Sequence, residues 1–162
     1  MEQRAIADAR RAARKLLTQW GGTDLYIARQ HRRISQLRRL ATDSYDSVAR
    51  HVMRIAPGRT HSDSSPVERA YEIADMQAEQ YHRAAKHTGI QIAHALNRQR
   101  KVDERIEQLP ALTQSVLRLR YVECLPWQTL AQRLQYNMSY VKRCENEALQ
   151  ALFPLLGHLE CE

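Results

Sequence analysis

The residues best suited to do chemistry lie close to the C-terminal end of this 162-residue chain: Ser139, Tyr140, Lys142, Arg143 and Asn146. Cations, hydroxyls and amides mixed in one short stretch suit contact with phosphates and base edges rather than bond-making. The other reactive residue types are scattered. Cys124, Cys144 and Cys161 form no CxxC pair, which points to a reducing compartment and no disulfide frame. His87 and His94 lie seven apart, with no cysteine or carboxylate at ligand spacing. Glu68, Glu72, Asp75 and Glu79 recur every three or four residues and are expected as a solvated helix flank paired with arginines of the preceding helix. There is no glycine-rich phosphate loop, no HExxH and no GxSxG. The expectation is a binding protein without cofactor or metal, not an enzyme.

The elements that must position the cationic stretch follow from periodicity. Leu112, Val116, Leu119 and Val122 recur at helical spacing. Pro126 can open a second helix, whose apolar face is Trp127, Leu130, Ala131 and Leu134. Gln135, Tyr136 and Asn137 read as a turn, with Asn137 as N-cap of a third helix. Val141, Cys144, Ala148, Leu149 and Leu152 give that helix its apolar stripe. Its outward face would then be Met138, Ser139, Tyr140, Lys142, Arg143, Glu145 and Asn146. Three short helices joined by tight turns are a helix-turn-helix unit. Asn137, Ser139, Tyr140, Lys142, Arg143 and Asn146 are the candidates for DNA contact, with Arg133, Arg118 and Arg120 as candidates for phosphates. A competing role for Arg120 is to brace the three helices.

The run from Leu109 to Phe153 resembles region 4 of bacterial sigma factors. It is closer still to phage regulators of the RinA and ArpU type, in which two helices precede a pattern LRY(I/V)xGxxWxxIAxxLGYS. Here Leu119-Arg120-Tyr121-Val122, Trp127, Leu130-Ala131, Leu134 and Tyr136 stand in register. The resemblance implies a phage-encoded transcription regulator in a bacterial cytoplasm, with duplex DNA as partner and RNA polymerase as a further one. Two departures from the family matter. Gln135 replaces the turn glycine, and Met138 and Ser139 replace the Arg-Glu pair with which sigma factors read their promoter element.

The rest of the chain reads as helix. Aromatics are few at 6%, and glycine and proline number five each. The net charge of +7 favours a polyanionic partner. It is concentrated in residues 1–60, which hold 13 Lys and Arg against five Asp and Glu. Residues 1–22 form a basic helix or arm, ended by Trp20-Gly21-Gly22 with a glycine past the last turn. Thr23 or Asp24 can cap a second helix, in which Ile27, Ile34, Ala41, Val48 and Ile55 repeat every seven residues. Its other side carries Arg29, Arg32, Arg33, Arg38 and Arg39, either a solvated face or a non-specific nucleic-acid contact. Residues 57–65 read as a loop, and Ser65, Pro66 and Glu68 as a capping box. The following helix runs to about Gln108, roughly 60 Å at 1.5 Å per residue. Val67, Ala74, Tyr81, Thr88, Ala95, Val102 and Leu109 form one of its heptad columns. Tyr71, Ala78, Ala85, Ile92, Gln99 and Ile106 form the other, with Gly89 at an expected kink.

The expected architecture is therefore all-α. A long antiparallel helical hairpin, a coiled-coil-like stalk over residues 23–108, precedes a helix-turn-helix unit over residues 109–156 and a tail over 157–162. No apolar run has membrane length. The leading functional expectation is a transcription regulator, with a homodimer reading two half-sites as one arrangement. An RNA polymerase-binding antiterminator or appropriator is the alternative. A small terminase-like DNA-packaging protein is the third, although in those the DNA-binding unit usually comes first in the chain.

Overall fold

The computed structural model describes residues 2–52, 54 and 66–159. The loop 57–65, the Ser65 cap, Ile55 and residues 160–162 with Cys161 lie outside the described residues. No strand is present among the residues described. The helices are α1 (Glu2–Gly21), α2 (Thr23–Val52), α3 (Pro66–Ile106), α4 (Ala111–Leu117), a π-helical turn (Arg118–Val122), α5 (Trp127–Leu134) and α6 (Met138–Leu159). None of them is long and apolar enough to cross a membrane. The chain divides into two units, Met1–Tyr26 with His94–Glu162, and Ile27–Ala93.

The second unit is an antiparallel pair, α2 from Ile27 and α3 up to Ala93. Past Tyr71, which is exposed, both heptad columns of α3 turn inward here, and Ala74, Ala78, Ala85, Thr88 and Ile92 are buried. On α2, Ala41 is buried, while the Tyr45 ring stays exposed and its hydroxyl donates to the Asp75 carboxylate at 2.8 Å. Thr88 satisfies its hydroxyl within the helix by donating to the Ala84 carbonyl, so a polar residue in the seam leaves no unmet group. One member of the acidic flank departs from expectation. Glu79 pairs with Arg83, four residues on in its own helix, rather than with an α2 arginine. The helix repeat fixes that spacing, whereas a bond across the pair must hold two long side chains in one geometry. α3 passes through Gly89 as continuous α-helix.

The first unit has two apolar clusters that share α6. In one, Val116, Leu119, Leu130, Ala131, Val141 and Cys144 close α4, the π turn, α5 and the first turns of α6 around one another. In the other, the later turns of α6 (Ala148, Leu149 and Leu152) pack with Leu117, with Val102 and Ile106 of α3, and with Ala13, Leu16, Leu17 and Trp20 of α1. Burying each such leucine stabilises the fold by about 1.5–3 kcal/mol. α1 is thus docked into the core formed by α6 and the end of α3. Of the weak apolar face that its sequence offers, Ala13, Leu16 and Leu17 are buried, while Ile6 at its start is exposed. α6 runs past Leu156, through Pro154, to Leu159.

The junction of α1 and α2 shows what its two glycines do. Neither takes a positive φ, so neither forms the left-handed end expected of a C-terminal glycine. Gly21 is instead a contact point. A Cβ there would lie 2.0 Å from the Tyr121 carbonyl oxygen and 2.5 Å from its carbon. Thr23 does not cap α2 through its side chain either; its hydroxyl donates backwards to the Gln19 carbonyl at 2.9 Å. The Trp20 indole N–H donates to Asp103 at 2.7 Å, tying α1 to the end of α3.

Candidate nucleic-acid interface

The candidate site is built by α5, a tight turn and α6. Pro126 is the N-cap of α5, with extended backbone, and its carbonyl accepts the first bond from the Leu130 N–H at 3.0 Å. α5 ends at Gln135, which sits in the left-handed region at φ 59 and ψ 35. A residue with a side chain costs about 1–2 kcal/mol there relative to glycine. Cys124 is the second such position, at φ 55, and it falls where the LRY(I/V)xG pattern carries its glycine. Both turns of the unit thus keep glycine-type backbone without glycine.

Asn137 caps α6 as expected. Its Oδ1 accepts the Ser139 backbone N–H at 2.9 Å, and its carbonyl accepts the Val141 N–H at 3.1 Å. This cap fixes where the exposed face begins. Met138, Ser139, Tyr140, Lys142 and Arg143 are exposed and Asn146 is half-buried. Neither Lys142 nor Arg143 forms an ion pair among the described residues. Their charge is therefore free for an external anion.

Glu145 does not lie on that face. It is 4% exposed and turned inward. Its Oε1 accepts the Tyr121 hydroxyl at 2.7 Å, and its Oε2 accepts from the Arg14 guanidinium at 3.4 Å. Burial, and then the bond to the Glu145 carboxylate, hold the Tyr121 phenol well above its ordinary range, so it stays a donor. The reason for the inward turn is helical arithmetic. Glu145 lies four residues from both Val141 and Leu149, on the apolar stripe itself. That spacing was the signal available in the sequence. The same region explains Val122, which is exposed despite its helical spacing. The π turn inserts an extra residue per turn, and Tyr121 turns inward in its place.

The three arginine candidates separate. Arg118 is exposed. Arg120 braces the unit, donating to the Leu125 carbonyl at 2.8 Å with its guanidinium 4.8 Å from the centre of the Trp127 ring. Arg133 pairs with Glu123 at 2.6 Å. On α2, Arg29, Arg32, Arg33, Arg38 and Arg39 are all exposed, in the other unit. His87 meets Gln91 rather than His94. Cys144 is core, its thiol pushed up chiefly by burial.

Residues 105–153 match the family model of sigma-70, region 4. The match begins in the last turn of α3 and ends in α6, so it covers the three-helix cluster and the exposed face of α6. It leaves out α1, α2 and most of α3. No curated protein and no solved structure shows significant similarity to the chain.

Proposed function

We propose that this protein, which carries a sigma-70 region 4-like helix-turn-helix, is a phage-type transcription regulator that binds duplex DNA through α6. The observation that carries the reading is the exposed pair Lys142 and Arg143, which form no ion pair among the described residues, on the third helix of that unit. Ser139, Tyr140 and Asn146 lie on the same helix as candidates for base-edge contact, and Asn137 at its start both caps and remains able to donate. Arg118 is one candidate for a phosphate. Arg120, engaged inside the protein, acts on DNA through the shape of the unit, while Arg133 stays a candidate for a phosphate from an exposed pair with Glu123. The arginines of α2 add a sequence-independent attraction that salt weakens.

The test is selection of binding sites from a random duplex pool at two salt concentrations. The expected result is an enriched motif that survives the higher salt, with a symmetry that reports monomer or dimer. Binding without a motif, collapsing as salt rises, would leave only the electrostatic contribution. That outcome would move the reading to RNA polymerase as the partner.

A further inference from the structure

The start of α6 exposes apolar groups that no protein contact requires. Tyr136 is 49% exposed, Met138 43% and Tyr140 45%. The two tyrosine rings are 5.5 Å apart, inclined by 31°. Beside them is an open depression of about 460 Å³ lined by Gln128, Ala131, Gln132, Gln135, Tyr136 and Met138. Its lining holds three amides and apolar groups, and no charged side chain. The cations Lys142 and Arg143 follow within two turns on the same helix.

This composition selects among base pairs. In the major groove, guanine is read best by a forked cation on its O6 and N7, while adenine is read by an amide on its N6 and N7. The thymine C5-methyl is the apolar group the groove offers. A cluster of exposed apolar side chains next to a cationic pair fits a polyanion that carries apolar points on its edge.

We propose that the depression between α5 and the start of α6 reads A·T base pairs, with the Tyr136, Met138 and Tyr140 side chains against thymine methyls and the Gln128, Gln132 and Gln135 amides serving adenine. This rests on the DNA-binding reading above. It goes further by assigning the bases and the chemistry that recognises them. Lys142 and Arg143 then supply affinity, and the depression supplies the sequence preference.

The experiment uses the full chain and the duplex obtained by selection. Each thymine in the motif is replaced in turn by deoxyuridine, which removes the methyl and leaves every hydrogen-bonding group in place. The expected result is an A·T-rich core in the motif and a loss of about fourfold in affinity at each contacted thymine, the effect of one methyl's transfer from water. A Tyr136→Ser, Tyr140→Ser variant, which keeps only Met138 against the methyls, should lose most of the difference between the two duplexes. Both rings are half exposed, so its melting temperature should match the parent's. Equal affinity of the unaltered protein for thymine and deoxyuridine at every position would overturn the proposal, as would a motif without A·T preference, and either would leave DNA binding standing. Absence of binding to any duplex would remove both.

Discussion

Gly21→Ala lowers the melting temperature by about 6–12 °C. The added methyl would lie 2.0 Å from the Tyr121 carbonyl oxygen, where an ordinary contact is over 3.4 Å. The obstacle is backbone on a π turn and not the end of a side chain, so no rotamer change relieves it. α1 must back away from the first unit and loosen the cluster formed by Ala13, Leu16, Leu17 and Trp20 with α6. Overpacking of this kind costs about 3 kcal/mol, and for a chain of this size each kcal/mol is worth roughly 2–4 °C. Gly22→Ala is the control. Its Cβ would find its nearest neighbour at 3.4 Å, an ordinary contact, so that variant should melt at or slightly above the parent temperature. Thermal unfolding followed by circular dichroism checks both. Equal melting of Gly21→Ala and the parent would mean that α1 does not dock on the π turn.

Glu145→Ala has the second largest effect, a loss of about 2 kcal/mol. The substitution strands the Tyr121 hydroxyl, which is half-buried, and removes the Arg14 partner. A hydrogen bond to a charged group is worth about 1.5–3 kcal/mol. The Arg14 side chain is 54% exposed, so its share is small after solvent screening. Glu145→Gln keeps an acceptor for the hydroxyl and should lose about half as much. Urea unfolding of the three proteins gives the comparison. If Glu145→Ala is neutral, the carboxylate faces solvent on the outer side of α6, as its charge first implies.

These two residues also mark what could be read from the sequence and what could not. The heptad columns placed Ala74, Thr88, Ala95 and Val102 on one face of α3, and all four are buried. Period and turn chemistry also marked α4 to α6, with Asn137 at the cap. Local rules sufficed there because each element's apolar stripe meets a neighbour close in sequence. The docking of α1 on α6 was out of reach, since a stripe says which face is buried and not against what. Arg14 and Glu145 are 131 residues apart, and no local pattern links them. Glu145 itself was legible, because four-residue steps from Val141 and to Leu149 put it on the stripe; its charge argued for the surface and prevailed wrongly. Arg120 had two readings in the sequence, and the Leu125 carbonyl and Trp127 ring favour the bracing one. The π turn explains Val122, and nothing in residues 118–122 announces it.

The central claim is that α6 holds DNA through Lys142 and Arg143. It is tested most directly by titrating a labelled selected duplex with the parent and with Lys142→Ala, Arg143→Ala across a salt series. The account predicts at least a tenfold loss of affinity in the double variant. It also predicts a salt dependence shallower by about 1–2 in the log–log slope, near 0.9 for each phosphate contact removed. The melting temperature should be unchanged, because both side chains are exposed and form no ion pair among the described residues. Equal affinity and equal slope for the two proteins would contradict it, and the exposed face of α6 would then have to serve something other than DNA.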